Sequence, residues 1–303
     1  MKSKIITLCG PTASGKTACA IELAQKLDAE IISMDSGQIY RGMDIGTAKP
    51  TLEEQSQARF HLIDILNPDD IFSAADFERL ATQAIHEIHS RGKKVILCGG
   101  TGLYLKALEE GIFEGPSKDE AIRRSLEREI AQEGLAALRR LHEELRSVDA
   151  EAAESIPFQN RQRLIRALEV YRLTGKPISQ FWKEQKEQEK ISKKEKPFVF
   201  EKYALDIPKE ELFLRIDQRV DQMMELGLMK ESENLLNRWG RKSPGLKIIG
   251  YKESIGGLIE SIPTDEVAEL IKRNTKKYAK RQMTWFRADQ AIYWMKNISE
   301  KKF

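Results

Sequence analysis

An α/β fold, a parallel sheet of the phosphate-loop type flanked by helices and interrupted by a mainly helical insertion, is predicted by three observations. Short apolar runs alternate with helical patterns through the first hundred residues, a glycine-rich turn follows the first run, and after about Phe113 the character changes to charged helix. Such alternation buries strands between helices and makes them parallel. A chain of 303 residues with 41% hydrophobic content has room for one large domain or two ordinary ones around a real core.

The elements follow in order. Ile5 to Cys9 reads as a strand, the turn Gly10 to Thr17 follows, and Ala18 to Leu27 reads as a helix. Glu30 to Met34 and His61 to Leu66 read as further strands, Ala74 to Arg91 as a helix and Val95 to Cys98 as the next strand. Helical patterns then cover Lys118 to Gln132, Leu135 to Ser147 and Asn160 to Leu173, the last stopped by Gly175 and Pro177. Lys183 to Lys196 is a charge run expected to be a solvated helix end or a mobile connection. Phe198 to Ile207 is strand-like, and helices are expected from Glu210 to the end. Residues 1–112 and 198–303 therefore form the expected core and 113–197 the insertion, with no internal repeat.

Composition excludes several classes. Charged residues make up 32% and no stretch has the apolar length needed to cross a bilayer. No signal peptide is visible, because the N-terminal residues lead straight into the strand that carries the glycine-rich turn; a cytoplasmic protein is expected. Cys9, Cys19 and Cys98 lack C-x-x-C spacing, and the four histidines form no paired metal-ligand motif. No heptad is present, so a monomer is expected. The net charge is only +3, yet between Ile271 and Arg287 seven basic residues and no acidic one are interleaved with Tyr278, Trp285 and Phe286. That segment is either a polyphosphate-binding face or a solvated helix with its aromatics in the core.

Gly10, Pro11, Thr12, Ala13, Ser14, Gly15, Lys16 and Thr17 fit the pattern G-x-x-x-x-G-K-[ST]. A strand, a glycine-rich turn and a helix in that order aim backbone N–H groups and a helix N-terminus at one point, which binds oligophosphate. Lys16 would neutralise terminal phosphates and the Thr17 hydroxyl would ligate Mg²⁺. Phosphate sites of parallel sheets lie at the carboxyl ends of the strands, where Asp35-Ser36 and Gly99-Gly100-Thr101-Gly102 also fall. Many nucleoside-triphosphate enzymes end a core strand in an aspartate that holds Mg²⁺. Here the strand after Lys94 ends in Gly99-Gly100-Thr101, and Asp35 is the nearest substitute, as metal ligand or as general base.

GPTASGKT followed by DSGQIYRGMDIGTAKP (35–50), HLIDILNPDDIFSAADF (61–77), GGTGLYL (99–105), RLIRALEVYRLTGKPIS (163–179) and YAKRQMTWFR (278–287) resembles the bacterial tRNA dimethylallyltransferase family over essentially the whole chain. One departure is Gly37, where many relatives carry methionine. The resemblance implies transfer of a dimethylallyl group from dimethylallyl diphosphate to N6 of adenosine 37, next to the anticodon, with release of diphosphate. It implies that Asp35 accepts the proton of a weakly nucleophilic exocyclic amine, while loop amides, Lys16, Mg²⁺ on Thr17 and an arginine stabilise the leaving group. Arg219 is the favoured arginine and Arg215, one helical turn earlier, the second choice; each could instead be a surface salt bridge. Thr101 resembles the family residue beside the transferred group and the target base, though alone it reads as an ordinary turn threonine. Contacts to the tRNA anticodon loop are implied for Asp35, Ser36, Gly37, Gln38 and Thr101, for Gln159, Asn160, Arg161, Gln162 and Arg163, and for Arg123. A small-molecule kinase on the same core is the competing reading, and a nucleic-acid-binding module with a retained phosphate loop the third.

Overall fold

The apolar runs become strands that bury both of their faces. In the computed structural model, which describes residues 3–111, 115–192, 198–297 and 300, β1 (Ser3–Cys9) leads into α1 (Lys16–Leu27), β2 (Ala29–Met34), α2 (Leu52–Gln57), β3 (Phe60–His61), α3 (Ala74–Ser90), β4 (Lys94–Gly99) and α4 (Gly102–Glu110). Next come α5 (Glu120–Glu133), α6 (Leu135–Val148), α7 (Ala150–Ser155), α8 (Arg161–Thr174) and α9 (Ile178–Ser192). The chain then returns through β5 (Phe198–Leu205), α10 (Lys209–Glu225), α11 (Leu228–Trp239), α12 (Tyr251–Glu260), α13 (Thr264–Arg287) and β6 (Ile292–Met295).

The described strands form one parallel sheet in the order β3-β2-β4-β1-β5-β6. Ile5, Cys9, Ile32, Met34, Val95 and Leu97 share a core with Phe77, Ile85 and Ile88 of α3 and Leu108 of α4. Their strand neighbours Ile6, Leu8, Ile31, Ile96 and Cys98 share another with Ala20, Ile21, Leu23 and Ala24 of α1. Burial on both faces is why these strands read as continuous apolar runs rather than as alternation. A further core joins Ile216 and Val220 of α10, Leu235 of α11, Tyr251 of α12 and Ile271 of α13 to the segment around Ile39 and Met43.

The chain divides into two compact units, Met1–Glu110 with Pro197–Phe303, and Gly111–Lys196. The smaller is helical with its own core, including Leu126, Leu141, Leu145, Leu164 and Leu168. The expected boundaries at 113 and 197 fall outside the described residues, as do residues 193–196 of the charge run, whose first part continues α9 to Ser192.

The sequence expectation differs from the structure in several places, including the short helices α2 and α7, which were not expected. His61 to Leu66 was expected to be a strand, but only Phe60 and His61 pair with β2. Leu62 and Asp64 take left-handed backbone conformations (φ 62° and 54°), which end the strand, and Leu66 makes a lone bridge to Tyr40. Residues 102–110 form α4, a helix the sequence reading did not single out. The last element is β6 rather than a helix; it pairs with Lys202 to Leu205 at the sheet edge.

Two buried carboxylates are matched by cations. Glu30 meets Arg91 (2.7 and 3.1 Å) and His61 (2.6 Å) in the larger unit. In the smaller, the Glu169 side chain, without exposed surface, accepts from Arg123 (2.6 and 2.9 Å), Arg166 (2.7 Å) and the Asp119 amide (2.8 Å). Burial alone would raise the Glu169 carboxyl, but the two guanidiniums and the amide outweigh it and hold it at about 2. Its folded value lies below the ordinary 4.5, so its contribution is complete above that pH and is lost as pH falls toward 2. Glu169→Ala, which leaves two arginines uncompensated, is expected to destabilise the protein by about 3–5 kcal/mol. Urea denaturation at neutral pH measures this loss, and Glu169→Gln should flatten the acid limb of stability against pH.

Candidate active site

The in-register ends of β1, β4 and β2 bring three turns together. Cys9 pairs with Gly99, and Gly99 with Met34, so the segments starting at Gly10, Gly100 and Asp35 leave the same sheet edge side by side. The Thr101 amide donates to the Met34 carbonyl (3.3 Å), tying the second turn to the third.

The first turn has the form of an anion cradle. Gly10, Ala13 and Gly15 have φ of 135°, 64° and 89°, and Gly15 caps α1. The Ser14 hydroxyl closes the turn onto the Pro11 carbonyl (2.9 Å). Among the described residues, the backbone N–H groups of Ala13 to Thr17 have no acceptor. Lys16 Nζ donates to the Pro11 carbonyl and the Ser14 hydroxyl (3.3 Å). Burial pulls its ammonium below its ordinary value; Asp35 opposes this and Arg219 reinforces it. Thr17 is half-buried in the first turn of α1.

The two arginines on α10 separate clearly. Arg219 reaches the Thr12 hydroxyl (3.4 Å), and burial lowers its guanidinium, against the pull of Glu54 and Asp35. Arg215 is exposed and paired with Glu211 (2.6 Å), although its tip passes near Gly15. Neither Lys16 nor Arg219 forms an ion pair among the described residues, so their charge accumulates beside unsatisfied N–H groups.

At the end of β2, Asp35 Oδ1 accepts from the Gly37 (2.8 Å) and Gln38 (3.4 Å) amides, and Oδ2 has no donor among the described residues. Gln38 is fixed at both ends of its amide, accepting from Ser33 Oγ (2.9 Å) and donating to the Ala48 carbonyl (3.3 Å). Ser36 is half-buried and Gly37 buried beside them. The Thr101 hydroxyl is buried without a partner of hydrogen-bonding geometry, next to the Tyr278 phenol. Burial and the charge of Asp35 push that phenol up to about 12, so it stays a neutral donor.

Gln282 and Tyr278, both on α13, lie at the candidate site; the sequence reading did not single out Gln282 and noted Tyr278 only as one aromatic of the basic segment. Gln282 is buried, accepts from the Thr12 amide (2.9 Å) and donates to the Gly100 carbonyl (2.8 Å), bridging the phosphate loop and the glycine turn. A Cβ at Gly100 would lie 2.2 Å from Gln282 Nε2, and one at Gly102 2.2 Å from Trp285 Cδ1, so both glycines are needed for α13 to approach. The available signal was the polar pair four residues apart inside YAKRQMTWFR. An open groove of about 800 Å³, lined by Gly102, Leu105, Lys106, Lys280, Arg281 and Trp285, lies alongside.

The remaining sequence-predicted residues belong to the helical unit. Asn160 caps α8, its Oδ1 accepting from the Arg163 amide (3.3 Å), with Gln159, Arg161, Gln162 and Arg163 exposed around that helix start. Arg123 is committed to Glu169 rather than being a free surface cation. Among the described residues no group of three His, Cys, Asp or Glu could hold a metal. A Mg²⁺ that travels with a diphosphate needs less, because the phosphates supply ligands, and the Thr17 hydroxyl and Asp35 carboxylate fit that donor set.

Fold and site together define a phosphate-loop α/β enzyme whose cradle faces a carboxylate. The profile of one family, IPP transferase, matches residues 38–289. The chain is 46% identical over 303 residues to tRNA dimethylallyltransferase 2 of Geotalea daltonii, covering 97% of this chain and 88% of that protein. It is 45% identical over 297 residues to the tRNA dimethylallyltransferase of Geobacter sulfurreducens, covering 97% and 92%. Among solved structures, the tRNA isopentenylpyrophosphate transferase of Bacillus halodurans superposes with a TM-score of 0.69 at 41% identity, covering 97% of this chain and 90% of that one. A eukaryotic dimethylallyltransferase acting on tRNA superposes at 0.74 with 27% identity, covering 97% and 73%. The chain belongs to the IPP transferase family.

Arg219→Ala is expected to weaken binding of inorganic diphosphate about tenfold or more, since it removes a desolvated cation from the cradle. Arg215→Ala should change it less than about threefold, as an exposed, already paired residue. Isothermal titration calorimetry of the two variants separates them; equal losses would place both guanidiniums on the anion.

Proposed function

We propose that this chain transfers a dimethylallyl group from dimethylallyl diphosphate to N6 of adenosine 37 in tRNA, with release of diphosphate. The observation that carries the reading is the coincidence of an uncompensated cationic N–H cradle after β1 with a carboxylate holding one free oxygen after β2, two strands away at the same end of the sheet. The names of the relatives support tRNA and the dimethylallyl group, and the anion cradle supports diphosphate as the leaving group.

The diphosphate lies in the Gly10 to Thr17 turn, against Lys16 and Arg219. Bound Mg²⁺, which Thr17 would hold together with the phosphates, would supply positive charge for the leaving group. The adenine amine attacks the allylic carbon: the N–C bond forms as the C–O bond breaks, and the electron pair leaves with the diphosphate. Delocalisation of the amine lone pair makes this a poor nucleophile, so the proton must go as the bond forms, and Asp35 Oδ2 is the acceptor at hand. Charge growing on the diphosphate meets preorganised N–H groups and two cations that need not rearrange. The Thr101 hydroxyl and Tyr278 phenol are neutral groups that can orient amine and allyl group. Gln38 offers the base an amide, and a target base must first leave the anticodon-loop stack to reach it. Gln159 to Arg163, and Arg123 through its place beside Glu169, serve the RNA from the helical unit. A cytoplasmic monomer is the form proposed; no described helix is long and apolar enough to cross a membrane.

Unmodified tRNA, Mg²⁺ and radiolabelled dimethylallyl diphosphate test the activity, with ATP and candidate acceptors in parallel. Label should enter the anticodon loop; ATP turnover without label transfer would instead identify a kinase. Asp35→Asn should lower transfer by about 10²–10⁴-fold while tRNA still binds, and normal turnover would remove Asp35 as base. Arg161→Ala and Arg163→Ala should each reduce the slope of log affinity against log salt by about one, measured by filter binding. An unchanged slope would take them off the RNA.

A further inference from the structure

The segment Asp35 to Pro50 carries the proposed base and the adenine-reading amide, yet it contains no helix or strand of its own. Part of its support is internal: Lys49, almost wholly buried, donates to the Tyr40 carbonyl (2.9 Å) and pairs with Asp44 and Asp64. The rest comes from one carboxylate on another element.

Glu231, in the first turn of α11, accepts from three consecutive backbone amides: Asp44 (3.2 Å), Ile45 (3.1 Å to each oxygen) and Gly46 (3.3 Å). It also accepts from the Tyr251 phenol (2.6 Å), which in turn accepts from the Gly46 amide (3.1 Å). Tyr251 is fully buried, and that burial holds its phenol protonated as a donor. Successive N–H groups of this kind form a concavity that ordinarily takes an anion, and here a side chain fills it. Ile45 then accepts from the Ala48 amide (3.0 Å), and Ala48 is the residue whose carbonyl holds Gln38 Nε2. Thr47 lies under the other side of the same turn, where a Cβ at Gly37 would come within 2.9 Å of Thr47 Cγ2. The chain of contacts from Glu231 to the Gln38 amide is continuous. With Ser33 and Ala48 in place, that amide retains one N–H and one acceptor site. These are the two features a glutamine needs to read an adenine edge in pairs.

We propose that Glu231 is a positioning residue for Gln38, acting through residues 44–48 to set adenine recognition without touching either substrate. This rests on the tRNA-prenylation reading above. The diphosphate cradle hangs from β1 and α1 rather than from this loop, so the two substrates should respond differently.

Steady-state kinetics with unmodified tRNA and dimethylallyl diphosphate test the role in Glu231→Ala, Glu231→Gln, Gln38→Ala and the double variant Gln38→Ala/Glu231→Ala. Glu231→Ala should raise the KM for tRNA about tenfold and leave the KM for dimethylallyl diphosphate within about twofold. The double variant should be no worse than the more impaired single variant, because both act on one contact. Glu231→Gln, which keeps the volume and one acceptor oxygen, should fall between wild type and alanine. It carries the test if the alanine variant does not fold. Losses that multiply in the double variant, a parallel rise in both KM values, or wild-type kinetics in both Glu231 variants would overturn the proposal. A wild-type protein that transfers no label would overturn the activity reading itself, and this role with it.

Discussion

The parallel pairing of β1 with β4 and of β4 with β2 fixes where everything else in the larger unit can act. Because Cys9, Gly99 and Met34 end in register, a phosphate loop, a glycine turn and a carboxylate emerge at adjacent points of one edge. None of the three segments continues a strand, and their geometry is therefore borrowed from elements that pack against them. Gln282 joins two of them with one side-chain amide, and Glu231 grips the third from α11. A sheet defines the address; two polar side chains from distant helices define the shape.

Charge is distributed on the same logic. Where the fold needs a buried carboxylate, cations and amides surround it, as at Glu30 and Glu169. Where chemistry is expected, the pairing is left incomplete. Lys16 and Arg219 are desolvated beside N–H groups that have no acceptor, and Asp35 keeps an oxygen without a donor. The cationic part of that imbalance would be relieved by an anionic ligand, the usual relation between a binding site and the stability of its scaffold.

What could be read from the sequence was what is local. The phosphate loop, Asp35 after its strand, and the glycine turn at 99–102 each declare themselves within about ten residues, since backbone geometry and residue type coincide there. The choice of Arg219 over Arg215 was legible only as a preference; burial against exposure separates them in three dimensions. Elements set by remote partners were not legible. β6 is four residues of edge strand defined by pairing with β5, about ninety positions away, and Ile292 to Met295 carries no local mark of it. The strand at Phe60 stops because Leu62 and Asp64 turn left-handed, which aspartate tolerates but leucine does not announce. Arg123 was expected as an RNA contact, and its pairing with Glu169 was not legible because the two lie a long way apart along the chain. Gln282 and Glu231 escaped notice for the same reason, as ordinary polar residues whose partners are backbone groups elsewhere.

The cysteines at the ends of the two central strands, Cys9 as the last residue of β1 and Cys98 as the last but one of β4, have a consequence of their own. Cys9 and Cys98 lie within the electrostatic reach of Lys16, yet burial outweighs that pull and raises both thiols to about 12. An allylic diphosphate is an alkylating agent, and the thiolate is the sulfur nucleophile that would compete with an adenine amine for its carbon. Keeping these two sulfurs dry keeps them protonated. On the proposed reaction, the apolar packing on the two faces of the sheet would insulate these sulfurs from an allylic diphosphate held in the phosphate loop.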